Sequence, residues 1–144
     1  RALCIHSWVH RGTRESPGLV LGLDRGGSCR GVAFEVAGEE GEAVLAYLRE
    51  RELVTAVYLE TVRTVRFDDG ERVKALAYVV DRTHEQYAGR MGDADIAGIV
   101  RRATGGSGAN LDYVVNTLAH LRDEGIHDPH LEAVARHLEG GQSG

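Results

Sequence analysis

Strand-like runs fill the first half of this chain and helix-like runs fill the second, with a single helical pattern between the third and fourth strands. That order is the α+β order. The strand readings are 1–10, 19–23, 30–36, 55–67 and 72–81. The run 55–67 is the longest, and it is rich in β-branched residues: Thr55, Val57, Thr61, Val62, Thr64 and Val65. Asp68-Asp69-Gly70-Glu71 is a tight turn into 72–81. Asp24-Arg25-Gly26-Gly27-Ser28 reads as a hairpin loop joining 19–23 to 30–36. The helical readings are 40–52, 93–104, 111–124 and 129–138. Asp93 is placed to cap the second of these and Asn110 the third. Residues 82–92 are a loop, and 105–109 a Gly/Ser break. No internal repeat or linker appears, so residues 1–139 read as a single domain and 140–144 as a polar, frayed tail.

The length of 144 residues suits one domain with a real core. A formal charge of −5 argues against a general nucleic-acid binder. Of the 17 basic residues only Lys74 is lysine, which reads as a coding bias and not as phosphate recognition. No apolar run approaches the length of a membrane span. Two cysteines, Cys4 and Cys29, are too few for a disulfide framework. Both fall in strand readings, so they are expected as free, partly buried thiols, and the cytoplasm is the expected compartment.

The residues that invite chemistry close the first helix: Tyr47-Leu48-Arg49-Glu50-Arg51-Glu52. Val44, Leu45 and Leu48 form an apolar stripe, and at ~100° per residue Glu52 continues it while Glu50 points away. Glu39, Glu40 and Glu42 at the start and Arg49 and Arg51 near the end suit the helix dipole. A carboxylate on the core side is costly unless paired or put to use. Burial and the negative helix end both raise its pKa, which suits a group that takes and gives a proton near neutrality. The structural alternative is a pair with Arg51 or Arg63, or a frayed helix end.

Other stretches turn this pattern into a resemblance. They are His10-Arg11-Gly12-Thr13, Pro17-Gly18-Leu19-Val20-Leu21-Gly22-Leu23, and Asp24-Arg25-Gly26-Gly27-Ser28-Cys29-Arg30-Gly31-Val32-Ala33-Phe34. Downstream come Ala75-Leu76-Ala77-Tyr78-Val79-Val80-Asp81, Tyr87-Ala88-Gly89 and Gly105-Gly106-Ser107-Gly108-Ala109-Asn110-Leu111-Asp112-Tyr113. In that order and spacing, over residues 1 to about 138, the chain resembles the ChaC-like γ-glutamylcyclotransferases. The resemblance implies a small, mixed, barrel-like sheet with helices packed outside. It implies cleavage of glutathione to 5-oxoproline and cysteinylglycine, by attack of the γ-glutamyl amine on its own side-chain amide. The family's proton-handling glutamate falls on Glu52. The family's substrate pocket is bordered by the loop that holds Tyr87, so Tyr87 is a substrate-binding candidate beside its rival role of packing on the next helix. One departure stands out. The family opens with a strand and a Tyr-Gly-Ser-Leu loop that holds the γ-glutamyl group, and this tetrapeptide is absent from the chain, which is expected to be N-terminally short. The alternative function is therefore a non-catalytic binding or regulatory relic of the same fold.

The reaction needs no metal or organic cofactor, since nucleophile and electrophile share one molecule. Arg11, near a strand end, is the candidate for holding a glutathione carboxylate, against a salt bridge at the sheet edge. His6 and His10 share a strand face but are too far apart to chelate readily, and His127 and His130 flank a helix start; neither set closes a metal site. Asp68-Asp69 reads as a solvated turn. Ser28 and Cys29 show no base to make either a nucleophile. Partners are expected to be the small-molecule substrate, with no nucleic acid and no membrane, and a second copy meeting this one through an exposed sheet edge.

Overall fold

The computed structural model describes residues 1–52 and 57–140, Glu52 in its backbone only. The elements are β1 (Ala2–Ser7), β2 (Gly18–Gly22), α1 (Gly38–Glu52), β3 (Tyr58–Arg66), β4 (Arg72–Val80), α2 (Asp93–Arg102), β5 (Thr104–Gly105), β6 (Gly108–Ala109), α3 (Asn110–Asp123) and α4 (Pro129–Gly140). Strands pair antiparallel as β1 with β2, β3 with β4, and β5 with β6. A parallel bridge between Leu23 and Val79 ties the first pair to the second, and Val80 N–H donates to the Leu23 carbonyl at 2.8 Å. The other edge of β1 meets the loop after β4: His6 N–H donates to the Gln86 carbonyl and Ala88 N–H to the Cys4 carbonyl. The α+β class holds. Among the described residues these strands form small linked sheets and not a closed barrel.

Two apolar clusters meet at β1. Its register with β2 slips between Leu3 and Ile5, so Cys4 is an extra residue and the strict in-out alternation fails. Leu3, Cys4 and Ile5 are consequently all buried. Leu3 joins the larger cluster with Leu19, Ile96, Val100, Val114, Leu118, Leu131 and Val134, where α2, α3 and α4 lie against β1 and β2. Cys4 and Ile5 turn to the smaller one, with Val57 and Val80.

The outer edge of β2 is closed by a helix. Leu19 and Leu21 point their N–H groups away from β1, and an unpaired buried N–H is expensive. The fully buried Asn110 side chain accepts from Leu19 N–H and donates to the Leu19 carbonyl, both at 2.9 Å. One helical turn later the Tyr113 hydroxyl accepts from Leu21 N–H at 3.0 Å. This overturns two expectations. Asn110 does not cap α3; it is the first helical residue, and its amide mimics a neighbouring strand. The hairpin of 19–23 with 30–36 does not form, because the edge it needs is taken. Residues 30–36 pair with no strand among the described residues, and Phe34 is 88% exposed.

Other differences are local. Asp93 opens α2 but makes no capping bond, the N-cap being Gly92. The break at 105–109 folds as the small β5–β6 hairpin. β1 ends at Ser7, so His10 leaves the strand face it was expected to share with His6; its Nδ1 sits 3.0 Å from Ser107 Oγ. Cys4 is buried as a strand residue should be, but Cys29 is exposed and outside any strand. The tail reading falls mostly on 141–144, outside the described residues.

Helix α1 begins two residues earlier than its expected start at Glu40. Val44, Leu45 and Leu48 are its half-buried stripe. Arg49 anchors it to β3 through a two-pronged pair with Glu60, whose Oε1 also accepts from the Tyr78 hydroxyl at 3.0 Å. Helix α4 is tied to β1 at its start: Arg1 pairs with Asp128 at 3.0 Å, and His130 Nε2 accepts from Leu3 N–H at 3.1 Å. Accepting requires a neutral imidazole at Nε2, and burial holds the His130 pKa below its ordinary 6.5 despite Asp128 and Asp93 nearby.

Three outcomes are expected. Asn110→Ala strands both polar groups of Leu19 and lowers the unfolding free energy by about 2–4 kcal/mol in urea titrations. In the native protein a thiol reagent modifies Cys29 promptly and Cys4 only on unfolding; Cys29→Ser abolishes the prompt phase. For pH, the folded state disfavours the His130 proton, as burial also does for His6. Their stabilising contribution is therefore complete above about 6.5 and is lost as pH falls through the lower folded values. Melting temperatures should drop between pH 7.5 and 5.5, and His130→Gln, which keeps an acceptor for Leu3, should flatten part of that slope.

Candidate active-site cleft

A cleft of about 320 Å³ opens beside the start of β1. Arg1 to Cys4 form one wall, Asp24 to Gly26 another, and Gly89 to Met91 a third; Ile96 and His130 lie beneath. The walls come from segments far apart in sequence. The connection after β2 carries Asp24 across to β4 through the Leu23 bridge, and the loop after β4 returns along β1. Gly89 then takes a φ of +73°, a conformation that disfavours any side chain, and turns the chain so that Arg90 and Met91 continue along the cleft wall.

Asp24 is the electrostatic centre of this wall. Its Oδ1 accepts from Arg82 Nε at 2.7 Å and from the Arg25 amide at 2.8 Å; its Oδ2 accepts from the Tyr87 hydroxyl at 2.8 Å. Burial is the largest single influence and opposes ionisation. The bonds from Arg82, Tyr87 and the Arg25 amide together outweigh it and keep the carboxyl below its ordinary 3.8. Tyr87 is pushed up, first by burial and then by its bond to Asp24 and that residue's charge, so it stays a protonated donor. Burial and the Asp24 charge push the Cys4 thiol up to about 11. At neutral pH Cys4 is thus a protonated apolar group at the cleft wall, not a nucleophile.

The residues singled out from sequence do not all meet here. Tyr87 stands at the cleft's edge, joined to it through Asp24. Arg11 does not line the cleft. It follows the other end of β1, where its guanidinium sits 5.7 Å from the Tyr113 ring centroid and donates to the Ala109 carbonyl at 3.3 Å. Three backbones touch at that loop: a Cβ on Gly105 would lie 2.5 Å from Gly12 N, and one on Gly12 only 2.1 Å from Gly18 N. The Glu52 side chain lies outside the described residues; its backbone is the last of α1, and Val57, five residues on, packs in the cluster that holds Cys4. Sequence reading did not single out Asp24, Arg82, Arg25 or Arg90 as site residues, and it weighed His130 only as a metal ligand. Asp24 was read as a turn residue, and nothing local signals a partner 63 positions away. Among the described residues no three His, Cys, Asp or Glu side chains group as metal ligands, and no helix is long and apolar enough to cross a membrane.

Comparison with known proteins bears on this geometry. The chain is 33% identical over 133 residues to a glutathione-specific γ-glutamylcyclotransferase of Escherichia coli (strain K12), covering 89% of this chain and 58% of that protein. It is 35% identical over 133 residues to glutathione-specific γ-glutamylcyclotransferase 1 of Danio rerio, covering 87% and 67%. The chain thus spans only part of these relatives, little more than half of the bacterial one. A crystal structure of a yeast γ-glutamylcyclotransferase specific to glutathione superposes with a TM-score of 0.74 over 96% of this chain and 84% of that one; at 16% identity it establishes the fold alone. The family model described as ChaC-like protein matches residues 1–140, and the chain belongs to that family.

Proposed function

We propose that this chain acts as a glutathione-specific γ-glutamylcyclotransferase. The observation that carries the reading is its 33–35% identity to two proteins of that activity over nearly nine-tenths of its length. In the proposed reaction the α-amine of the γ-glutamyl group attacks its own side-chain carbonyl carbon. The new C–N bond closes the five-membered ring, the amide C–N bond to cysteine breaks, and 5-oxoproline and cysteinylglycine leave. Ring closure is intramolecular, so proximity supplies much of the acceleration once the chain is bent. Glu52 is the proposed general acid/base. It takes the amine proton and returns it to the departing nitrogen. Its place at the C-terminal end of α1, in line with the half-buried Val44, Leu45 and Leu48, supports that assignment.

Tyr87 and Arg11 are the proposed substrate contacts. Tyr87 offers a phenol held at the cleft edge by Asp24. Arg11 would exchange its long bond to the Ala109 carbonyl for a substrate carboxylate. We place the reaction in the cytoplasm. We propose a homodimer through an exposed sheet edge as the assembly; among the described residues β3 pairs with β4 alone, which leaves its other edge without a strand partner.

The test is 5-oxoproline release from glutathione by this chain. Release above the uncatalysed rate is expected, with kcat for Glu52→Gln lower by about 10²-fold or more. No release from the wild-type chain, with glutathione bound but unchanged, would favour the binding-relic alternative. A near-normal rate in Glu52→Gln would remove Glu52 from the mechanism.

A further inference from the structure

Charge is unevenly compensated around the cleft. Arg1 is engaged by Asp128 and by the Arg30 carbonyl. Asp24 has both oxygens occupied and its charge matched by Arg82. His130 accepts from Leu3 N–H and is neutral there. Two cations remain. Arg25 and Arg90 line the cleft, and among the described residues neither guanidinium closes an ion pair or a hydrogen bond. Asp81 feels the Arg25 charge, but its Oδ1 accepts from the Thr83 hydroxyl at 2.7 Å and no pair forms with Arg25.

Both arginines are exposed, and the backbone of Arg25 is held on both sides. The Arg25 amide donates to Asp24 and its carbonyl accepts from Arg82 Nη2 at 2.9 Å. Arg90 follows the left-handed Gly89. Arg25 and Arg90 thus line the cleft from two different walls, together with the apolar Leu3, Met91 and Ile96. A planar guanidinium matches a carboxylate in a two-bond fork, so two arginines lining one small cleft beside apolar residues suit the carboxylate of a short peptide. At about 320 Å³ the space is at the small end of ligand clefts, sized for a small peptide.

We infer that Arg25 and Arg90 form a carboxylate subsite that holds the glycine carboxylate of the tripeptide and so positions the γ-glutamyl end for cyclisation. This rests on the cyclotransferase reading above. The negative charge would be recognised at the cleft mouth, and a γ-glutamyl compound lacking that carboxylate would bind less well.

The experiment compares glutathione with its C-terminal glycinamide, on the wild-type chain, Arg25→Gln, Arg90→Gln and the double variant. Each single variant should raise KM for glutathione about tenfold with kcat within about twofold, and the rise should vanish with the amide, which lacks the group recognised. Arg90→Lys should recover part of the loss. An unchanged KM in the double variant, or an equal rise for acid and amide, overturns the subsite. Inorganic phosphate is the control for a general anion site: competition by phosphate together with indifference to the substrate carboxylate also overturns it. Failure of the cyclotransferase reading is read separately. If the wild-type chain releases no 5-oxoproline, calorimetry of glutathione binding decides: binding that is lost in the double variant upholds the subsite, and equal or absent binding overturns it.

Discussion

A strand edge satisfied by side chains holds this fold together. Leu19 and Leu21 turn their N–H groups outward from the β1–β2 pair, and Asn110 and Tyr113, three residues apart on α3, answer them. Asn110 also donates to the Leu19 carbonyl, so one buried amide reproduces the pairing a neighbouring strand would supply at that residue. The consequence reaches in both directions. It seats α3, and with it the helical core, directly on β2. It also sets the β5–β6 hairpin against the loop of His10 to Gly12, where Gly106 N–H donates to the Val9 carbonyl and Ser107 N–H to the His10 carbonyl. Small residues are demanded there because Gly12, Gly18 and Gly105 bring three backbones into contact.

With one edge of β1 paired to β2, its other edge is left to the loop after β4. That loop brings Tyr87 to Ile5 and, past Gly89, sends Arg90 and Met91 to the cleft. Asp24 locks the opposite wall by accepting from Tyr87, Arg82 and the Arg25 amide. The same three bonds that hold its charge also spend it. This is why the cleft retains an excess of positive charge although the chain as a whole is acidic. Cys4, driven to its protonated form beside Asp24, adds an unreactive surface.

Much of the architecture was legible because it rests on local periodicity. The long β-branched run, the Asp69-Gly70 turn and its partner strand, and the spacing of Ile96 and Val100 or Val114, Leu118 and Leu121 each mark an element with little help from the rest of the chain. The misreadings share a cause. Residues 30–36 have strand-like composition, but a strand needs an open edge, and Asn110 had taken it. Asn110 itself looked like a helix cap, because a cap and a buried edge-mimic use the same short amide in the same place. The cleft was the least legible part. Asp24 and Tyr87 are 63 residues apart, and their pairing follows from the Leu23–Val79 bridge, which no local pattern announces.

By itself the sequence determined the α+β class, most element positions, the family, and the residues that family points to. These are set by side-chain period and by ordered motifs, both properties of neighbours along the chain. Only the tertiary structure decided which strand edge is covered by a helix, which thiol is shielded, and which charges are compensated around the cleft. Each of those depends on groups brought together across scores of residues, where burial and the demand to satisfy every polar atom choose among partners that local sequence leaves open.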